Sequence, residues 1–186
     1  MELKFKLLDH PFYKSWSEGK VSVSKLSEYG KSYIELISYM PELWKSITED
    51  LNVKNETSAR IIEDETRHIT LWTKWIERLP ETENYPSLKH VINEISILSP
   101  SARLGALQSF EMQQPDVALT KKEGLIKHYG FNPDVLDYFD EHLNEIHHIN
   151  FGLDLANTVC NKEEFELGLQ KGSELFYHSL DAFVEC

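Results

Sequence analysis

The stretch IIEDETRHITLWTKWIERL, residues 61–79, bears on the fold class and poses the first functional question. On a helix of about 3.6 residues per turn with Glu65 at zero, Ile61, Ile62, His68, Ile69, Trp72, Ile76 and Leu79 all fall within about 60° of it. Glu63 and Arg67 fall on the opposite face, and Asp64 sits on the flank. The segment therefore reads as an amphipathic helix whose apolar stripe carries a carboxylate and an imidazole three residues apart. An ionised carboxylate buried without compensation costs several kcal/mol, so something must neutralise Glu65.

Helical periodicity continues through the chain, interrupted at Pro41, at PETENYP (80–86), SPS (99–101), YGFNP (129–133) and CNKEE (160–164). Helices are expected near 11–17, 22–39, 42–50, 55–79, 87–98, 101–129, 133–160 and 162–184. Pro115 should kink or split the sixth of these, because it removes a backbone donor. No stretch alternates with the period of a strand, and no repeat or linker divides the 186 residues. A single all-α bundle spanning 1–186 is expected.

With 31 acidic against 19 basic residues the net charge is -12, which disfavours nucleic acid and anionic membranes as partners; solubility alone accounts for such a charge. Cys160 and Cys186 make neither a disulfide framework nor a zinc motif. The opening MELKFKLLDH lacks the apolar run of a signal peptide, and no segment approaches the ~18 apolar residues of a membrane span. The expectation is a soluble cytoplasmic protein.

Two more segments turn acids inward. Around Glu111, Leu104, Leu107, Ala118 and Leu125 lie within about 40°, subject to the bend at Pro115. In DYFDEHLNEIHHINFGLDLANTV (137–159) the stripe around Glu145 holds Tyr138, Ile149, Gly152, Ala156 and Val159; Glu141 and His148 share it, His142 lies on its flank and His147 points outward. Three helices thus supply Glu65 with His68, Glu111, and Glu145 with His148. These are the ligand types and helical spacings of carboxylate-bridged dinuclear metal sites. Taken singly, each also fits a satisfied core histidine or a buried ion pair. A ferritin-type site needs a fourth carboxylate from 22–39, but Glu28 and Glu35 lie opposite the apolar face of Leu26, Tyr29, Tyr33, Leu36 and Met40. The site must be built from three helices.

The opening HPFYKSWSEGKVSVSKLSEYGKSYIELISYMPEL (10–43), HITLW (68–72) and above all LQSFEMQQPDVALTKKEGLIKHYGF (107–131) resemble the haem-oxygenase-like, TenA-related superfamily over nearly the whole chain. Within it, the match is to the non-haem di-iron oxidases, the branch of the chlamydial death-domain-associating proteins. The resemblance implies a bundle of about seven helices holding two ferrous ions, or manganese, that activate dioxygen. Glu65, His68 and Glu111 carry over as ligands. The family's H-x-x-x-D-x-x-H falls on Glu141, Glu145 and His148, with Glu where His and Asp are usual; aligned on YF-x-x-H, His142 takes the first position. A shorter segment before His68 allows Asp64 in place of Glu65, whereas the helical wheel favours Glu65.

The same resemblance puts Tyr13 at the tyrosine that such proteins sacrifice to make para-aminobenzoate for folate synthesis, and Lys121 at the amino donor. From residue type alone they read as a packing aromatic and a solvated helix lysine. The implied activity is a di-iron oxygenase whose substrate is its own Tyr13 or a small molecule such as an aliphatic acid, with a homodimer as its one expected macromolecular partner. Two competing readings are a metal-free, thiaminase-type pyrimidine hydrolase and an interaction protein with vestigial acids. The hydrolase needs a cysteine nucleophile beside a base, for which only Cys160 and Cys186 are present, with Glu174 loosely resembling that branch's carboxylate.

Overall fold

In the computed structural model, which describes residues 2–144 and 146–185, nine α-helices and no strand occur among the described residues. They are α1 (Pro11–Ser17), α2 (Val23–Asp50), α3 (Glu56–Ile76), α4 (Lys89–Ser96), α5 (Pro100–Glu111), α6 (Gln114–Tyr129), α7 (Asp137–Asn144), α8 (Ile146–Thr158) and α9 (Lys162–His178). Short 3-10 turns at Leu7–Asp9, Pro133–Val135 and Asp181–Phe183 complete the chain. The all-α bundle expected from the periodicity is what forms. No helix is long and apolar enough to cross a membrane among the described residues.

The helix ends follow local chemistry. Asn55 and Ser58 make a reciprocal capping box that starts α3, and Ser22 and Asn161 cap α2 and α9 with their side chains. Gly130, at φ 69°, ends α6 in the left-handed conformation that suits glycine. Pro115 splits the expected helix 101–129: α5 stops at Glu111, and the proline falls in the first turn of α6, where its missing N–H has no partner to lose.

Pro41 does not break its helix; α2 runs through it to Asp50. The buried residues Leu36, Ile37, Met40, Leu43, Trp44 and Ile47 stay in phase across the proline. Their burial, at about 1.5–3 kcal/mol per large side chain, outweighs the ~3 kcal/mol a helical proline costs. The expected helices at 133–160 and 162–184 are shorter than the pattern suggested. The first opens with a 3-10 turn, and the second ends at His178 ahead of another.

The core is aromatic: Trp16, Trp44, Trp72, Trp75, Tyr13, Tyr29 and Tyr33 are all fully buried. Helices α5 and α9 pack backbone to backbone. A Cβ on Gly168 would stand 1.9 Å from the Ala102 carbonyl oxygen, and one on Gly105 would stand 2.1 Å from that of Phe165. This close seam fixes α5, and with it Glu111, against the rest of the bundle.

Candidate metal centre and lysine cage

Glu65 and His68 enter the core from α3, Glu111 from the end of α5 and His148 from the first turns of α8, all four buried. His148 Nδ1 lies 3.1 Å from Glu65 Oε1 and 3.8 Å from Glu111 Oε2. His68 Nδ1 lies 3.2 Å from the other Glu65 oxygen. Trp44, reaching in from α2, donates its indole N–H to Glu111 Oε1 at 3.2 Å. Glu65, Glu111 and His148 each present a donor atom within 4.8 Å of the others.

A second group adjoins the first. His147 Nε2 lies 3.2 Å and His148 Nε2 3.7 Å from Asp64 Oδ2, so the two nitrogens of His148 face two carboxylate clusters. Arg67 approaches the same Asp64 at 3.2 Å. Asp64, His147 and His148 likewise present donor atoms within 4.8 Å of one another. Carboxylate oxygens and imidazole nitrogens at this spacing form a donor set suited to divalent transition ions.

The charges of the cluster are balanced within it. Burial alone would push the His148 pKa down, but Glu111 and Glu65 beside it hold it up at about 11. Burial would push Glu65 up, yet its contacts with His148 and His68 keep the carboxyl well below the usual carboxylate range. By its own charges the core is an ion cluster in which an imidazolium stands between carboxylates. To serve as a ligand, His148 must release that proton.

Lys121 occupies a different kind of pocket. Its side chain, on α6, is buried, and its Nζ lies 5.5, 5.2, 5.0 and 5.4 Å from the ring centres of Tyr13, Tyr29, Tyr33 and Trp72. No ion pair to it appears among the described residues, and burial lowers its pKa from 10.5 to about 7. The Tyr13 hydroxyl pairs with that of Tyr29 at 3.1 Å, and burial pushes both phenols well above their ordinary pKa. Trp72 joins the two sites. Its ring centre is 4.8 Å from that of Tyr138, which lies 5.6 Å from His68 and 4.2 Å from His142.

No family model matches the chain. It is 31% identical to a 4-aminobenzoate synthase of Nitrosomonas europaea in an alignment that covers 73% of this chain and 66% of that one, just under two thirds of its length. It is 28% identical to the 4-aminobenzoate synthase of Chlamydia muridarum, over 96% of this chain and 85% of that one. For the protein of the same name from Chlamydia trachomatis the identity is 26%, over 96% of this chain and 87% of that one. The chain is a relative of these proteins.

Of the residues singled out in the sequence, Glu65, His68, Glu111 and His148 come together, and Tyr13 meets Lys121. Glu145 lies outside the described residues. Glu141 is held at the edge of the cluster by Arg67, whose Nε and Nη2 donate to Oε2 at 3.1 and 2.7 Å; His68 Nε2 is 3.5 Å from the same oxygen. His142 is buried with its ring 4.4 Å from that of His68, and its Nδ1 donates to the Tyr138 carbonyl at 2.8 Å. That bond puts the ring proton on Nδ1 and the lone pair on Nε2, the tautomer a metal ligand needs.

Three expectations change. Lys121 is no solvated helix lysine, because aromatic side chains of α1, α2 and α3 close over it. His147 does not simply face water, since its Nε2 meets Asp64. Asp64, on the flank of its helix, is as buried as the stripe itself, and it meets His147 and His148. The adjacent pairs Asp64, Glu65 and His147, His148 were the available signal for this second group. Trp44 carried none, because nothing local distinguishes it from any other core tryptophan. Cys160, at the end of α8, is half-buried with its thiol pKa raised by burial, the opposite of an activated nucleophile.

Proposed function

We propose that this chain is a di-iron oxygenase of the 4-aminobenzoate synthase type, drawing the ring of its product from its own Tyr13 and the amino group from Lys121. The observation that carries the reading is the Lys121 amine, buried without a carboxylate partner among the described residues against the Tyr13 ring, with Trp72 and Tyr138 between it and His68 of the carboxylate and imidazole cluster. A solvated or ion-paired lysine stays protonated near neutral pH; this one, with its pKa at about 7, holds a large share of lone-pair amine.

Glu65, His68, Glu111 and His148 are the ligands this reading assigns, with Asp64 and His147 beside them. His142 completes the set in preference to Glu141, because Arg67 neutralises Glu141 while the Tyr138 carbonyl fixes His142 in the ligating tautomer. When bound, two ferrous ions, or manganese in their place, would supply the electrons that reduce dioxygen. The protein residues hold that chemistry apart from water: Tyr13, Tyr29, Tyr33 and Trp72 wall the cage, and the Tyr29 hydroxyl orients the Tyr13 phenol, which burial keeps protonated.

The test is direct. After anaerobic loading with ferrous iron, elemental analysis should give close to two metals per chain. Exposure to dioxygen with reductant should then remove the Tyr13 side chain in the intact mass and release 4-aminobenzoate, neither of which occurs in Tyr13→Phe. An unchanged mass together with catalytic dioxygen uptake on an added aliphatic acid would replace this reading with an ordinary oxidase. Metal content near zero at saturating iron would end both.

A further inference from the structure

The helix that carries Tyr13 is held in place by the far end of the chain. With seven residues, α1 is too short to persist on its own, so its seat is made by tertiary contacts. Its N-cap His10 is fully buried, and two bonds fix its tautomer. Nδ1 accepts the Phe12 N–H at 3.1 Å, so the ring proton is on Nε2, which donates to Asp181 Oδ1 at 3.0 Å. The other oxygen of Asp181 accepts from His178 Nδ1 at 2.9 Å. One carboxylate therefore ties the end of α9 to the cap of α1.

The residues that follow cross the same helix. The Phe183 ring centre lies 5.7 Å from that of Phe12 and 5.4 Å from that of Tyr29, a wall of the lysine cage. Beyond the other end of α1, Glu185 Oε2 accepts the Ser22 N–H at 2.8 Å. Residues 178–185 form a strap over α1, anchored before it by Asp181 and after it by Glu185. Asp181 itself stands at the surface and takes no direct part in the cage or the carboxylate cluster.

We propose that Asp181 is a positioning residue for the Tyr13 reaction: through His10 it fixes the cap of α1 and so the placement of the Tyr13 ring against Lys121. The proposal rests on the reading of Tyr13 as a reactant. Its physical basis is that a reaction between two side chains depends on their mutual placement, where a shift of about 1 Å can cost roughly 100-fold. Without the Asp181 carboxylate, Nε2 of a buried imidazole loses its acceptor, and the cap of a helix with little stability of its own is loosened.

The experiment compares full-length wild type, Asp181→Ala and Asp181→Asn, each loaded with ferrous iron. In Asp181→Ala the amides of residues 12–17 should exchange with deuterium about tenfold faster, while those of α3 and α5 do not change. Metal content and dioxygen uptake should stay near wild type, yet Tyr13 lost per dioxygen consumed should fall about tenfold. Asp181→Asn, whose amide oxygen still accepts from His10, should recover most of both. Unchanged exchange in α1, or Tyr13 loss and dioxygen uptake falling in proportion, would overturn the proposal. A wild-type protein that keeps Tyr13 intact would overturn the functional reading and the proposal with it. Tyr13 chemistry that is normal in Asp181→Ala would overturn the proposal alone.

Discussion

Trp16 donates its indole N–H to the backbone carbonyl of Lys121 at 3.1 Å, across 105 residues of sequence. The bond sets α1 on α6 in the register that brings Tyr13 to Lys121. Gly124, one turn beyond the lysine, leaves room for the indole, because a Cβ there would approach Trp16 Cδ1 to 2.6 Å. The pairing of the two proposed reactants thus depends on a tryptophan and a glycine that take no part in the chemistry.

Replacing Lys121 with methionine should stabilise the fold in a pH-dependent way. Below pH 7 the amine is protonated in both the folded and unfolded states, and the full cost of burying its charge is present. Between the folded pKa of about 7 and the unfolded value of 10.5, the unfolded chain binds more protons, so wild-type stability rises with pH. Lys121→Met should therefore gain up to about 5 kcal/mol at pH 6, shrinking toward zero by about pH 10. Urea unfolding midpoints across that range check it; equal midpoints at pH 6 would mean a solvated amine.

In the metal-free protein, His148→Ala should cost about 3 kcal/mol, since it leaves the carboxylates of Asp64, Glu65 and Glu111 without the cation they share. Adding Glu111→Ala to that variant should recover part of the loss, because one of the repelling charges is gone. Thermal unfolding of the two single variants and the double variant measures the coupling. Strict additivity would show that the cluster is not electrostatically linked.

Gly168→Ala should destabilise the protein by about 3 kcal/mol, because its new methyl would meet the Ala102 carbonyl, which is backbone and cannot rotate away. Gly130→Ala is the contrast. A Cβ there meets nothing within 4 Å, and the cost, about 1 kcal/mol, comes from the positive φ alone. Chemical denaturation of both variants separates crowding from backbone strain.

The sequence alone showed that carboxylates and imidazoles turn inward from three helices, although Val159, on the stripe it assigned around Glu145, is exposed. Periodicity of apolar residues places Glu65, His68, Glu111 and His148 on buried stripes, and those four side chains meet in the core. It also located the break at Pro115, because a proline's missing donor is a local fact. It could not tell that α2 would pass through Pro41, a matter of how much apolar surface lies in phase on both sides. Nor could it bury Lys121, which on its own helix looks solvated and is enclosed only by Tyr13, Tyr29, Tyr33 and Trp72 from three other helices. The pairing of Glu141 with Arg67, and of Asp64 with His147, was likewise decided by which helices lie side by side. A helical period fixes direction within one segment through local geometry, whereas partners across segments are set by the packing of the whole core.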